Sequence, residues 1–545
     1  MSWFIQAVFG LLTVFIISGF KPFAQWRLRN IPGPRPIWYL GNLIAMQKAG
    51  SYKFSQICAR KYGQVFKVWG PMWPNIVFTA PADVRSMLMH NHNRPAFPSL
   101  LPDSSTDKEF EDSMILRARD DMWRGVRQAW TPLFFTGSLE AYSQLMHECS
   151  GDLVRRLEGA AADGKTAVDI WSIVGDTTMH VIGTAAFGVD FNTQADASRL
   201  TPEEQQKVEE LRSCVKYMFK ASVGPAASRW FWALLFLPPA FVPLIRMLAK
   251  RFPDDRFKRA YNARRTMIEL STDLVKNHRR NLAASAGNAS GQLPSGADAG
   301  GHADVQIKSS SISSKAESGK GSAAFSNGGL RGGVLPGSFI DIMAFTGILA
   351  GYETTANALS FCVYCLSAHP GKLAPLLKEV DAFGDRLPQY EDLDLHFPYL
   401  DAALKESMRL YPPATFAVRE ANQDQVIGGY CFGKGEILSA SIYTMHHDQD
   451  LWGDNVEDFV PERWLEGSPE EEKSRKSWLI PFGEGPRKCP AARFAIEEAK
   501  IILFRLYQKF TFELEPGQIP LKVRHTITLS PKDGIRVIVR PRGKP

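Results

Sequence analysis

Apolar residues recur at helical spacing over most of this chain, and short alternating runs interrupt them near its two ends. The longest helical pattern is Ser338–His369, bounded by Pro336 and Pro370 and long enough to cross a whole domain as one helix. Pro81–His90 reads as a shorter helix. From Gly137 to Ile182 the spacing is again mainly helical, with a break near Gly164. The last strong pattern begins at Ala492, where Phe494, Ile496, Ala499, Ile501, Ile502, Phe504 and Leu506 fall at roughly helical spacing. Gln64–Trp69 and Asn75–Thr79 read instead as strands on either side of Gly70-Pro71, which predicts a small sheet near the N-terminus. The expected fold class is therefore mainly α with small β-sheets.

Two stretches break this pattern for opposite reasons. Trp3–Phe20 carries no charge, and as a helix it would be about 27 Å long, just enough to span a bilayer core. Lys21, Arg27 and Arg29 follow it, as expected of an anchor whose C-terminal side stays in the cytosol. A cleaved signal peptide is the competing reading, but n-region charge is scarce and no small-residue cleavage site stands out. Pro32-Gly33-Pro34-Arg35-Pro36 cannot continue a helix and is expected to act as a stiff hinge. In Leu282–Pro336, Ala, Ser and Gly prevail and nothing periodic could bury a core, so the segment reads as a disordered insertion. Asn288-Ala289-Ser290 inside it matches a glycosylation acceptor that a cytosolic location would leave unused. The expected division is an anchor at 1–21, a basic and proline-rich hinge at 22–36, and one domain at 37–545 that carries the insertion at 282–336.

Composition sharpens this reading. With 545 residues, 45% of them apolar and 22% charged, the chain is large enough for a substantial core, and no convincing domain linker divides it. Its formal charge of +7 is modest and lacks basic runs interleaved with aromatics, which argues against a nucleic-acid partner. The 7 cysteines are odd in number and scattered, which favours a reducing compartment without disulfides. Cys362 and Cys365 form a C-x-x-C inside the long helical pattern with no second ligand pair nearby, so packing is the better account of them.

The chemistry concentrates around Cys489. It sits in Phe482-Gly483-Glu484-Gly485-Pro486-Arg487-Lys488-Cys489-Pro490-Ala491, a glycine-rich turn about one helical turn before the Ala492 pattern. Amides at a helix start would point at the sulfur and lower its pKa, favouring the anion that a metal requires. Arg487 is placed to pair with an anionic group. A lone cysteine before a helix is more often an inert packed thiol, so local chemistry alone leaves both readings open. In mid-helix, Ala350-Gly351-Tyr352-Glu353-Thr354-Thr355 combines a costly glycine with threonines able to bond back to the preceding turn, consistent with a local distortion or with a helix–helix contact.

Taken together, Phe482-x-x-Gly485-x-Arg487-x-Cys489 resembles the proximal haem loop of the cytochrome P450 superfamily, with Ala491 standing where that family usually has glycine. Residues 350–355 resemble its oxygen-binding motif. Glu406-x-x-Arg409 with Pro461-Glu462-Arg463, and Trp123-x-x-x-Arg127, are similar to further motifs of the family in the same order, from Ile31 to Val539. The resemblance implies a cytochrome P450 fold in a single domain behind an N-terminal membrane anchor helix. It implies haem b with Cys489 as axial metal ligand, and Phe482, Trp123, Arg127, Arg419 and Arg487 as cofactor contacts. Glu353 and Thr354 would relay protons to oxygen, and Glu406, Arg409 and Arg463 would hold the fold. The nearest resemblance is to the clan that includes drug-oxidising liver microsomal enzymes, thromboxane synthase and plant carlactone oxidase.

The activity so implied is that of a haem-thiolate monooxygenase, which inserts one atom of dioxygen into a hydrophobic small molecule: a terpenoid, a carotenoid-derived compound, a sterol or a fatty acyl chain. No flavin or nicotinamide fingerprint occurs in the chain, so electrons must come from a partner. By resemblance that is NADPH-cytochrome P450 reductase, with cytochrome b5 as a second candidate donor, docking near Lys473, Arg475, Lys476, Arg487 and Lys488; a merely solvated loop at 470–476 is the alternative. The implied location is the endoplasmic reticulum membrane, single-pass, with the catalytic domain cytosolic and in contact with lipid. Trp230–Met247, rich in aromatics, reads either as core or as a membrane-dipping entrance. A haem-thiolate isomerase or dehydratase acting on a peroxide, and a non-catalytic haem-binding protein, are the competing functions; Glu353 and Thr354 argue against both.

Overall fold

The computed structural model describes residues 22–288 and 339–543, apart from short stretches at 71–72, 97–98, 100–104, 135, 163, 188–189, 197–198, 222–226 and 238–240. The expected anchor at Trp3–Phe20 lies outside the described residues. Among those described, no helix is long and apolar enough to cross a membrane. Pro22–Arg27 forms a short helix. The prolines after it are not free, because Lys67 N donates to Pro32 O at 2.8 Å and Lys67 Nζ to Leu28 O at 2.7 Å. A Cβ on Gly33 would lie 2.2 Å from Lys67 O, so only glycine lets the hinge settle on the strand beneath it.

In chain order the first half contains α1 (Ser51–Tyr62), β1 (Val65–Trp69), β2 (Pro74–Phe78), α2 (Pro81–His90), α3 (Ser105–Ser113), α4 (Asp120–Trp130), α5 (Thr136–Ala161), β3 (Ala167–Asp169), α6 (Ile170–Phe187), α7 (Pro202–Ala221), α8 (Arg229–Phe236), α9 (Val242–Arg251) and α10 (Asp255–Asn288). The expected strands and the break near Gly164 are present, and Gly164 itself adopts φ +57°. One boundary is corrected. Leu282–Asn288, assigned to the insertion on composition, continue α10, since Leu282, Ala283, Ala284 and Ala286 are strong helix formers that extend an established helix at little cost. The rest of the insertion lies outside the described residues.

The second half contains α11 (Phe339–Ala368), α12 (Pro370–Phe383), α13 (Pro398–Leu410), β4 (Phe416–Glu420), β5 (Gln425–Ile427), β6 (Tyr430–Phe432), β7 (Ile437–Ser441), α14 (Pro469–Trp478), α15 (Ala492–Lys509), β8 (Phe510–Leu514), β9 (Val523–His525), β10 (Leu529–Pro531) and β11 (Arg536–Pro541). The main sheet has the order β1-β2-β7-β4, with β2 and β7 parallel and the outer pairs antiparallel. β3, β11 and β8 form a second sheet, and β9 with β10 a hairpin.

α11 runs through the centre of the helical mass. Ile342, Phe345, Ile348, Leu359, Phe361, Cys362, Val363 and Leu366 are all buried, on every face, as an apolar helix without a polar stripe must be. α6, α10, α13 and α15 pack around it. A Cβ on Gly351 would meet Ile182 at 3.1 Å and one on Gly175 would meet Tyr352 at 3.0 Å, so paired glycines let α6 and α11 approach. The helix is continuous, and the expected distortion is confined to Thr354 Oγ1 bonding back to Ala350 O at 2.7 Å. Cys362 and Cys365 are fully buried among apolar residues, and among the described residues no group of three or more His, Cys, Asp or Glu side chains could hold a metal ion.

The interface of α15 with α5 holds an unusual cost. Glu497 and Glu498 are 3% and 2% exposed, and neither oxygen of Glu497 has a well-formed hydrogen bond. Burial first, then the charges of Glu140 and Glu391, lift the Glu497 carboxyl from 4.5 to about 8, against a small pull from Ser143. A carboxyl raised in this way keeps its proton when folded and loses it when unfolded, so stability falls as pH rises from the unfolded value towards about 8. Glu497→Gln is therefore expected to leave the melting temperature near pH 4 unchanged and to raise it by a few degrees at pH 8.5. A difference that is flat across this range in a thermal melt would contradict the assignment.

Candidate active site

The cysteine loop is fixed by its backbone. Cys489 N donates to Phe482 O at 3.0 Å, Gly483 N to Ile480 O at 2.9 Å and Lys488 N to Gly485 O at 3.0 Å. Gly483 and Gly485 adopt φ +70° and +77°. A Cβ on Gly485 would fall 2.4 Å from Leu88 O at the end of α2, so this glycine serves both the turn and the close approach. Glu484 pairs with Arg85 of the same helix at 3.0 Å. Ala491 N–H is directed at the Cys489 sulfur, as expected of the residue before α15. Burial nevertheless outweighs that amide and the charges of Arg127, Arg94 and Lys488, and holds the thiol above its ordinary value. The helix start thus lowers the thiol in the direction its place in the sequence implied, and burial opposes it. A metal at the sulfur would be needed to take the proton's place.

Behind the loop lies a buried ionic network. Glu406 and Arg409 on α13 are inaccessible to solvent and pair twice, Arg409 Nη2 to Oε1 at 2.9 Å and Nε to Oε2 at 3.0 Å. Arg463 Nε and Trp464 Nε1 each donate to Glu406 at 2.9 Å, so all three expected residues do meet. Arg409 also donates to the carbonyls of His446, Val456 and Asp458. His446 then links the network to the cysteine loop, because its Nε2 accepts from Ile480 N at 3.1 Å. Burial holds His446 well below the usual histidine range, so the ring is neutral and Nε2 is free to accept.

Around the sulfur the charges are unbalanced. Arg419 on β4 is 2% exposed, its Nε has no partner, and its one hydrogen bond goes to Val418 O at 2.9 Å. Burial and the nearby Arg94 push it down to about 9. Arg487 is pushed to about 9 by burial and then by Arg94, Arg419 and Arg119. Among the described residues no carboxylate lies within ion-pair distance of Arg94, Arg127, Arg419 or Arg487. Three N–H groups of Arg487 are taken by the carbonyls of His92, Ile115 and Ala118, and its guanidinium lies 4.4 Å from the Trp123 ring centre. Its expected role at an anion is thus shared with fastening the loop to 92–118. Arg127 reaches Lys488 O at 2.7 Å. Buried Arg419 and Arg487, repelled by neighbouring guanidinium groups and without an ion-paired carboxylate, are a cradle for an anionic guest, and with a thiol at their side they fit haem and its propionates.

The opposite wall is α11. Ala350 is exposed although Phe345, Ile348, Tyr352 and Glu353 around it are buried, and Thr354 one turn on is half-buried. These two residues share a face, so the central helix presents a strip to open space. Glu353 does not share it. Its carboxyl is 2% exposed and accepts from Thr528 Oγ1 in the β9–β10 turn at 2.8 Å. Burial raises it, against hydrogen bonds from Thr528, Asn357 and Ser530 and the charge of Arg524. Sequence reasoning did not single out His446 or Thr528 as site residues: each is an isolated residue whose role depends on a contact distant in sequence.

Such a site suits haem held through a cysteine sulfur, and comparison with known proteins agrees with that class. The family model described as Cytochrome P450 matches residues 31–539. The chain therefore belongs to the cytochrome P450 family; it is a haem-thiolate monooxygenase whose electrons come from a redox partner. It is 29% identical to Cytochrome P450 3A5 of Homo sapiens over 550 residues, covering 99% of this chain and 97% of the relative. It is 27% and 28% identical to Cytochrome P450 3A11 and 3A41 of Mus musculus over 553 residues, with the same coverage.

Arg419 separates stability from cofactor retention. Arg419→Met should raise the melting temperature of haem-free protein by a few degrees, because an unpaired buried cation is removed. The same change should speed haem transfer to apomyoglobin by about tenfold, through loss of a charge-assisted contact. Slower or unchanged haem loss would exclude Arg419 as an anion contact.

Proposed function

We propose that this P450 oxidises a hydrophobic small molecule, terpenoid, carotenoid-derived, sterol or fatty acyl, with Cys489 as axial ligand and electrons from an NADPH-dependent reductase. The observation that carries the site assignment is the cluster of Arg94, Arg127, Arg419 and Arg487 beside Cys489, two of them buried and none in an ion pair among the described residues. Haem bound there supplies dioxygen binding and O–O cleavage favoured by an electron-rich sulfur. The protein's part is positioning. Arg94, Arg127, Arg419 and Arg487 hold the propionates, Trp123 supports Arg487, and Phe482 packs at the loop. Thr354 Oγ1 lies on the open strip and donates to Ala350 O, and the buried Glu353 carboxyl, raised by burial and facing the β9–β10 turn, is read as the proton store behind that strip. Because both groups serve proton delivery to oxygen, they favour the monooxygenase over rearrangement of a peroxide.

Membrane attachment at the endoplasmic reticulum is part of this proposal. Ile37, Trp38, Phe241, Leu244 and Met247 are exposed, and Tyr39 joins their two segments through its hydroxyl contact with Phe236 O and ring stacking at 6.2 Å. A patch of large apolar side chains assembled from distant segments supports an interfacial surface, in keeping with the apolar Trp3–Phe20 run in the sequence. Cytochrome b5 is a second electron donor compatible with the basic residues near 473–488.

With reductase, NADPH and labelled dioxygen, one labelled atom should enter the product. Thr354→Ala should keep haem reduction but raise peroxide formed per NADPH severalfold. Cys489→Ala should lose the red-shifted Soret band of the reduced carbon monoxide complex, which Cys362→Ala should keep. Label-free product in reductase-free assays would overturn the reaction class, and a retained band in Cys489→Ala would overturn the ligand.

A further inference from the structure

The turn between β9 and β10 meets α11 at its functional centre. Thr526 N donates to Thr528 O at 3.0 Å, closing the turn, and Leu529 N donates to Pro413 O at 2.9 Å with the Leu529 side chain fully buried. Thr528 is 4% exposed and donates to Glu353 Oε1 at 2.8 Å, a contact spanning 175 residues of sequence. The hairpin is itself clamped, because His525 bonds Thr415 Oγ1 at 2.7 Å and Ser51 Oγ at 2.9 Å. Arg524 Nε donates to Ser530 Oγ at 3.1 Å, and Trp171 Nε1 to Asn357 Oδ1 at 2.7 Å. A buried carboxyl is thus held by a rigid turn whose hydroxyl has one orientation that satisfies it.

We propose that Thr528 is a positioning residue for proton delivery: its hydroxyl fixes the Glu353 carboxyl and favours its ionised form, so the β9–β10 turn sets how readily Glu353 releases a proton. The proposal rests on the reading of Glu353 as the proton store. A hydroxyl donating to a carboxylate stabilises the charged form, in opposition to burial. Several charges on the elements around α11 are engaged elsewhere, while Glu497 and Glu498 on α15 are buried carboxyls directed to the α5 side. Asp176 on α6 is held by Arg156 and Arg212, and Asp169 on β3 by the amides of Ile535 and Trp171. Glu111 on α3 faces Arg264 on α10, Glu406 on α13 is locked to Arg409, Lys500 on α15 is paired with Asp394 and Asp401, and Glu513 on β8 with Arg540. Arg524 on β9 is the cation acting on Glu353 from the hairpin, and Tyr352 is its neighbour on α11.

The test is an infrared pH titration of the ferric holoprotein, following the carboxylic C=O stretch that Glu353→Gln abolishes. Thr528→Val should move its midpoint up by about one pH unit, a tenfold change in proton affinity, and Thr528→Ser should leave it in place. In substrate-free NADPH oxidation with reductase, Thr528→Val should raise peroxide per NADPH at least twofold, with Thr528→Ser again like wild type. An unmoved or lowered midpoint in Thr528→Val, or a serine variant that behaves like valine, would overturn the proposal. If Glu353→Gln itself leaves the peroxide yield unchanged, the reading of Glu353 as proton store fails first, and the infrared midpoint still decides whether Thr528 tunes the carboxyl.

Discussion

The Glu406–Arg409 pair, sealed from water, is the constraint on which the rest of this molecule depends. Burying a carboxylate and a guanidinium costs several kcal/mol each, and the cost is offset only when every donor and acceptor is used. Here they are used: Arg463, Trp464 and Val460 complete Glu406, while three carbonyls between 446 and 458 complete Arg409. Removing one partner from such a pair costs about 3–5 kcal/mol. Satisfying the pair therefore fixes the path of the chain from 446 to 463 against α13. Because His446 belongs to that path and also receives Ile480 N, the constraint extends into the cysteine loop and sets where the Cys489 sulfur stands.

The arginines on the other side of the loop follow the opposite rule. Arg419 and Arg94 are placed where no acid answers them, and their repulsion is a cost borne by the protein alone. Such groups are explained by what they hold. A dianionic guest beside the thiol would relieve the repulsion, and cofactor binding and folding would then reinforce each other. The satisfied network provides rigidity and the unsatisfied one provides affinity, a few residues apart.

Much of this was legible in the sequence, because its strongest signals are local. The Ser338–His369 pattern became α11 within one residue at each end, and the strands, α2 and α15 followed their periodicity. The meeting of Glu406, Arg409 and Arg463 was implied by the family resemblance of their short motifs rather than by spacing alone. Contacts that join distant segments were not. Nothing near Thr528 announces Glu353, and Arg94 gains meaning only when a loop brings it beside β4. Arg487 looked available for an anion from its place in the turn, whereas three carbonyls from 92–118 share it. Composition misplaced the end of α10, because low complexity from Leu282 onward does not prevent an established helix from continuing to Asn288.

The central claim is that the buried network positions the thiolate through His446, and the Soret band of the reduced carbon monoxide complex reads it directly. His446→Leu removes the acceptor for Ile480 N while preserving apolar volume. The account predicts a folded, haem-loaded variant in which a substantial share of the complex moves from the thiolate-type band to the blue-shifted form of a displaced or protonated sulfur, with His446→Gln restoring much of the thiolate band through its own acceptor. A leucine variant with an undiminished thiolate band would contradict it.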